Sequence, residues 1–316
     1  MSRPVITITG ASGFVGQILR PRLRAQGYEV DVFDRLRGPV VDGLRRTWVG
    51  KEGSAVPLAR ARSVRAAQAR AERALVRTRV LRPTGDDILD LRSRLAERFR
   101  GRAAVVHLAA LAHPHVEGAS DDDYRRINYE GAVNVFEAAR DAGVPRFVFA
   151  SSAQVYGINA PVRIDQFPIL ETNPLPTRAE GQSAYGAAKA DFERYLEQAC
   201  PGGDTQAVAL RLECPGVRSN APVNLYASTS VENTAAAFTC AVEAELERPV
   251  EICNVLDACV DPSIVDVQEF LAQTWPDVAN HMSGNESLLG IERARERLGY
   301  APEPGGTYYP LSLIWG

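Results

Sequence analysis

The sequence predicts an α/β chain, a doubly wound parallel sheet followed by a smaller C-terminal lobe, and three observations predict it. Short β-branched runs alternate with helix-length segments as far as Leu212, a glycine-rich turn joins the first run to the first helix, and beyond Pro215 the alternation becomes irregular. Strands separated by helical crossovers pair in parallel, with helices on both faces of the sheet.

The first unit is a strand at Val5–Ile8, a helix over Gly16–Gln26 and a second strand at Val30–Phe33. Further strands are predicted at Val105–Leu108, Arg146–Ala150 and Ala207–Leu212, with helices over Asp123–Ala142 and Tyr185–Gln198 between them. After Pro215 come a helix at Val231–Glu247, a short strand at Glu251–Val255 and helices near Val265 and Ile291. The expected division is a dinucleotide-binding domain over 1–212 and a substrate-binding lobe over 213–316. A basic helical insertion interrupts the first domain at about 37–82. Between Leu44 and Arg82 it carries eleven Arg or Lys residues against Glu52 and Glu72 alone. Such a stretch reads either as a solvated face or as a contact for phosphate or a partner.

With 316 residues, of which 45% are hydrophobic and 24% charged, the chain can bury a large core. A net charge of −3 gives no support for a nucleic-acid partner. No run reaches the roughly 18 apolar residues that span a bilayer, and no hydrophobic leader precedes the first strand, so the expected location is the cytoplasm. The five cysteines form no C-x-x-C pair, which fits reduced thiols better than disulfides or a structural metal.

Thr9-Gly-Ala-Ser-Gly-Phe-Val-Gly16 places three glycines between a strand and a helix. There the backbone can approach a pyrophosphate, and the helix N-terminus favours negative charge. Asp34, at the end of the second strand and eighteen residues after Gly16, can accept hydrogen bonds from ribose hydroxyls and repel a 2′-phosphate, which favours NAD. Arg35 beside it is the kind of group that tolerates that phosphate, so NADP stays open.

Tyr185 and Lys189 stand four residues apart on a predicted helix, so they share a face, and the ammonium can lower the phenol's pKa. Ser151-Ser152 close the strand Phe147-Val-Phe-Ala150, at the carboxyl edge where parallel sheets bind ligands. A hydroxyl there can hold the reacting oxygen of an alcohol or ketone.

The glycine segment, His107-Leu-Ala-Ala110, Asn128-Tyr-Glu-Gly131 with Asn134-Val135, Ser151-Ser-Ala-Gln-Val-Tyr-Gly157, Tyr185-Gly-Ala-Ala-Lys189 and Ala209-Leu-Arg211 occur in that order. Together they resemble the extended short-chain dehydrogenases/reductases of the NAD-dependent epimerase/dehydratase type, which have a Rossmann-type sheet. The resemblance covers most of the chain outside the insertion. It implies Ser152 as the catalytic hydroxyl, Tyr185 as general acid/base and Lys189 as the group binding the nicotinamide ribose. It also implies cofactor contacts from Gly10, Gly13, Phe14, Val15, Gly16, Asp34, Asp87 and Ile88 (for adenine), Leu108, Ala109, Ala110 and Asn128, and a homodimer built from two helices, those carrying Val133–Ala139 and Phe192–Leu196, whose apolar faces otherwise read as core.

The chain also departs from the family. Arg211-Leu-Glu-Cys-Pro215 has cysteine where UDP-sugar 4-epimerases carry a substrate-gripping amide, and only 131 residues follow Tyr185, closer to uronate dehydrogenase than to nucleotide-sugar epimerases. Ala153 replaces one of the acid pair of the 4,6-dehydratases, which disfavours dehydration. His113 and His115 could bind a metal or be plain loop residues, and Arg211 and Arg218 could meet an anionic substrate group. Three readings follow: an NAD-dependent oxidoreductase acting on a sugar or sugar-acid-like secondary alcohol, a sugar or nucleotide-sugar epimerase, and a non-catalytic dinucleotide-binding regulator.

Overall fold

Side chains on successive residues of a strand point to opposite faces, and here both faces are apolar: Val105 and Phe147 turn to one side of the sheet, Val106 and Val148 to the other. A strand of that kind must be covered twice. The computed structural model, which describes residues 3–34, 86–116, 118–158 and 163–309, covers it so. Arg35 and the basic insertion lie outside the described residues.

The order is β1 (Val5–Thr9), α1 (Phe14–Ala25), β2 (Glu29–Phe33), α2 (Arg92–Phe99), β3 (Ala104–His107), α3 (Asp121–Tyr124), a π-helical turn at Arg125–Glu130, α4 (Gly131–Asp141) and β4 (Arg146–Ser152). Then come β5 (Gln166–Phe167), α5 (Ala184–Ala199), β6 (Gln206–Leu212), α6 (Val231–Glu243), β7 (Val250–Val255), α7 (Val267–Thr274), β8 (Ala279–Asn280) and α8 (Glu292–Leu298). Six strands form one parallel sheet in the order β2-β1-β3-β4-β6-β7. Helices α1, α6 and α8 cover one face through Leu19, Phe238 and Leu298, and α2, α4 and α5 cover the other through Phe99, Phe136 and Phe192.

The helix expected over Asp123–Ala142 is three consecutive pieces, opened by a capping box between Ser120 and Asp123. Strand β7 and helix α6 follow Leu212 in sequence yet belong to the sheet layer in space, because β7 pairs with β6 from Ala207↔Val250 to Leu212↔Val255. The lobe beyond them has its own core, with Phe167, Leu225, Leu271 and Leu288 buried together, and a two-stranded pairing of β5 with β8 that the short runs did not suggest. The apolar residues Phe136 and Phe192, on the helices implied to form a dimer contact, point into this chain's core against Phe147. Among the described residues no helix is long and apolar enough to cross a membrane.

Candidate active site

From β1 the chain crosses to β2 on one side, and β3 lies on the other. A crevice opens beyond the carboxyl ends where strand order reverses in this way, and ligands of open α/β sheets bind there. The glycine segment occupies this point. Gly10 has φ +68°, and a Cβ on it would lie 2.7 Å from the Ala109 nitrogen; one on Gly16 would lie 2.4 Å from the Ala11 carbonyl oxygen. The first lets the β1 turn pass against Leu108-Ala109-Ala110, and the second lets α1 start against the turn. No side chain caps the N-terminus of α1 and no acidic residue sits in its first turn, so the amides of Phe14, Val15 and Gly16 remain available to an anion. Asp34 accepts a hydrogen bond from the Ser12 amide at 2.9 Å, which brings its carboxylate to the same loop. These residues fit a dinucleotide: a bare helix start for the pyrophosphate, no room for side chains at Gly10 and Gly16, and a carboxylate at the end of β2.

The other implied contacts fall in two groups. Asn128 is buried and fastens the backbone of Leu111, accepting from its amide at 2.8 Å and donating to its carbonyl at 3.0 Å, so it positions the segment after β3. Asp87 and Ile88 lie in the segment that leads into α2. Ile88 packs against Gly131 and its carbonyl accepts from Asn134 at 2.8 Å, while Asp87 accepts from the Leu89 amide at 3.0 Å. Buried His107 shares a 2.7 Å hydrogen bond with Thr9, and burial, aided by the charge of Lys189, pulls its imidazole down to about 3, so the ring is neutral.

Ser152, Tyr185 and Lys189 come together at the end of β4. All three are nearly buried. Helix α5 starts from a Ser183 cap and carries Tyr185 and Lys189 toward the sheet, where Lys189 Nζ donates to the Ala150 carbonyl at 2.7 Å and lies 4.5 Å from the Phe149 ring centroid. Gly186 beside Tyr185 makes this approach possible, since a Cβ there would lie 2.4 Å from the Gln154 carbonyl oxygen. Ser152 hydrogen-bonds the Tyr185 phenol. Contrary to the sequence expectation, the phenol is held above its ordinary value rather than below it. Burial raises it, the hydrogen bond with Ser152 opposes this, and the charges of Glu213 and Tyr124 add to the rise. Lys189 is spent on a backbone carbonyl, 5.8 Å from the Tyr185 ring centroid, and burial pulls its own ammonium down to about 7 against the opposing charge of Glu193.

Sequence reasoning missed a carboxyl here. Glu213 follows directly on β6, whose Leu212 is paired with Ser152, and burial pushes its carboxyl up to about 7 while hydrogen bonds from Gln154, Cys214 and Asn224 pull the other way. The available signal was its position one residue past the carboxyl end of a parallel strand. Cys214, with φ +41°, is buried, and burial with neighbouring Glu213 raises its thiol, so it is no ready nucleophile. Arg211 is buried and pairs with Glu193 inside the protein at 2.7 Å, whereas Arg218 pairs with Asp261 and lies over the Tyr308 ring in the lobe. In the loop after β3, His113 Nδ1 accepts from the His115 amide at 3.3 Å, and among the described residues no group of three or more metal-binding side chains forms.

The two buried titratable groups set opposite pH dependences. The Glu213 carboxyl, raised to about 7 from 4.5, favours the fold fully below about 4.5 and loses that contribution as pH rises through about 7. The Lys189 ammonium, lowered to about 7 from 10.5, contributes fully above about 10.5 and loses its contribution as pH falls through about 7. Urea-unfolding midpoints should therefore fall between pH 4.5 and 7 through Glu213. Glu213→Gln should flatten that limb and Lys189→Met the one above 7; limbs unchanged in both variants would contradict the assignment.

Residues 6–218 match the NAD dependent epimerase/dehydratase family, and the chain belongs to it. Among curated relatives, a UDP-glucose 4-epimerase of Erwinia amylovora is 35% identical over 128 residues, 40% of this chain and 35% of that one. An L-arabinose 1-dehydrogenase (NAD(P)(+)) of Haloferax volcanii is 45% identical over 71 residues, 22% of this chain and 27% of its own length. The chain thus spans about a third or less of these relatives. The solved structure of MoeE5 in complex with UDP-glucose and NAD superposes with a TM-score of 0.61 at 22% identity, covering 95% of this chain and 94% of that one, a likeness of fold.

Proposed function

We propose that this protein is an NAD-dependent oxidoreductase of the extended short-chain dehydrogenase type, acting at a secondary hydroxyl of a sugar or sugar-acid-like molecule. The observation that carries this reading is the meeting of Ser152, Tyr185 and Lys189 at the carboxyl edge of β4, on the same side of the sheet as the glycine turn and Asp34. Gly10, Gly13, Phe14, Val15 and Gly16 would hold the pyrophosphate, Asp34 a ribose and Lys189 the nicotinamide ribose. When bound, the dinucleotide supplies or accepts the hydride. Tyr185 carries the proton: raised above its ordinary value, the phenol is protonated at neutral pH and serves a ketone substrate as acid. Ser152, hydrogen-bonded to it, orients the reacting oxygen. Lys189 fixes the floor of the site through Ala150. A homodimer, implied by the resemblance, belongs to the same reading.

Epimerisation at the same centre is the second reading, supported by the UDP-glucose 4-epimerase relative. It uses the hydride step twice and leaves no net NADH. Purified protein should yield extractable NAD, and incubation with a panel of sugars, uronates and nucleotide sugars should release NADH in proportion to oxidised product. Isomerised sugar with no net NADH would favour the second reading over the first. Absence of either product would remove both.

A further inference from the structure

Glu213 stands beside the reacting centre. It lies one residue past the end of β6, beside Ser152 across the β4–β6 pairing, and its charge acts on the Tyr185 phenol. It is 4% exposed. Among the described residues it makes no ion pair. Its partners are neutral amides: Gln154 Nε2 donates to Oε1 at 3.3 Å and to Oε2 at 3.2 Å, and Asn224 Nδ2 donates to Oε1 at 2.9 Å. The Cys214 thiol lies 3.6 Å from Oε1. A carboxylate can accept about four hydrogen bonds, and among the described residues Oε2 receives the one shared donor.

Two segments besides its own hold the side chain in place. Gln154 is itself tied to the site, its backbone N–H donating to Ser152 Oγ at 3.2 Å, and Asn224 comes from the lobe, where its side-chain Nδ2 also contacts the Cys214 sulfur at 3.0 Å. A buried acid without a cation costs stability, and a purely structural network of Gln154 and Asn224 would be served as well by a neutral side chain. An acid retained beside the proton-transfer tyrosine, with acceptor capacity left on one oxygen, suits a ligand that brings hydroxyl donors. It disfavours a ligand that brings negative charge to the same point.

We propose that Glu213 determines specificity by accepting a hydrogen bond from a hydroxyl on the carbon next to the reacting carbinol, so that the substrate is a vicinal diol, as in an uncharged sugar ring, and not a 2-hydroxy acid. This rests on the oxidoreductase or epimerase reading above, since both place a carbinol at Tyr185. It narrows the substrate to molecules whose polar groups around the reacting carbon are neutral donors.

The test compares wild type with Glu213→Gln on the sugar from the panel that turns over, on its two deoxy analogues lacking the hydroxyl on either side of the reacting carbon, and on a 2-hydroxy acid. For wild type, one deoxy analogue should lose roughly 10- to 100-fold in kcat/KM, the usual effect of deleting a hydrogen bond to a charged group. The 2-hydroxy acid should not react. In Glu213→Gln that discrimination should shrink to about threefold or less, mainly through KM. NADH binding followed by fluorescence should match wild type, which reports an intact fold. Equal use of parent and deoxy sugars by wild type, or discrimination unchanged in Glu213→Gln, overturns the role of Glu213 and leaves the oxidoreductase reading standing. Failure of wild type to turn over any sugar overturns that reading, and this one with it.

Discussion

Replacing Tyr185 by Phe should lower turnover about 10²- to 10⁴-fold while leaving dinucleotide binding near wild type, the range by which a positioned acid/base contributes. The substitution removes one oxygen. Its hydrogen bond is with Ser152, and its ring lies edge-on to Tyr124 with centroids 6.2 Å apart, a contact that Phe preserves. A loss confined to kcat, with NADH fluorescence titrating normally, separates the missing proton from a damaged pocket. Because burial holds the phenol above its ordinary value, ketone reduction should be less hindered at neutral pH than alcohol oxidation, which needs the proton removed. Turnover unchanged in Tyr185→Phe would sink both enzymatic readings and leave the non-catalytic regulator.

The second large effect is on stability. Arg211 is 3% exposed, and its guanidinium donates to both oxygens of Glu193, at 3.0 Å and 3.2 Å from Nε and 2.7 Å from Nη2, while Nη1 donates to the Tyr156 hydroxyl at 2.7 Å. Glu193 also accepts from Ser151 at 2.6 Å, and Tyr156 continues the chain by donating to Asn254 at 2.8 Å. One column of polar groups thus runs from α5 through β6 to β7. Arg211→Met should cost about 3–5 kcal/mol in urea unfolding, because among the described residues it leaves the buried Glu193 carboxylate with Ser151 as its one donor. Adding Glu193→Leu to it should recover much of the loss, since two apolar groups no longer strand a charge. A single-variant loss under about 1 kcal/mol would mean that water or another group reaches Glu193.

The candidate site was legible wherever its chemistry is local in sequence. Gly10, Gly13 and Gly16 report a turn that backbone and helix must crowd, and the structure fills the Cβ positions of Gly10 and Gly16 with Ala109 and Ala11. Tyr185 and Lys189 could be read as a pair because helical periodicity puts positions four apart on one face. Their mutual electrostatics could not. The short reach of Lys189 to Ala150, and the burial that moves both groups, follow from how α5 meets β4.

Glu213 escaped notice because a lone glutamate after a strand carries no signal until Gln154, 59 residues away, and Asn224 are seen to hold it beside Ser152. Arg211 shows the reverse. Its sequence position suggested a ligand for anions, and its partner, eighteen residues earlier on α5, makes it internal.

By itself the sequence determined the parallel sheet of strands and crossovers, the glycine turn and the pairing of Tyr185 with Lys189, since these rest on periodicities and turns within a few residues, while the choice of Ser152 came from the family resemblance. Only the tertiary structure decided that β7 and α6 complete the sheet layer and that Asn128 fastens the loop after β3. It also decided that the phenol of Tyr185 is raised rather than lowered, and that Glu213 stands beside it. These depend on burial and on contacts between residues far apart in the chain, and burial, which sets both the pKa of an acid and the partners open to it, is a property of the packed molecule.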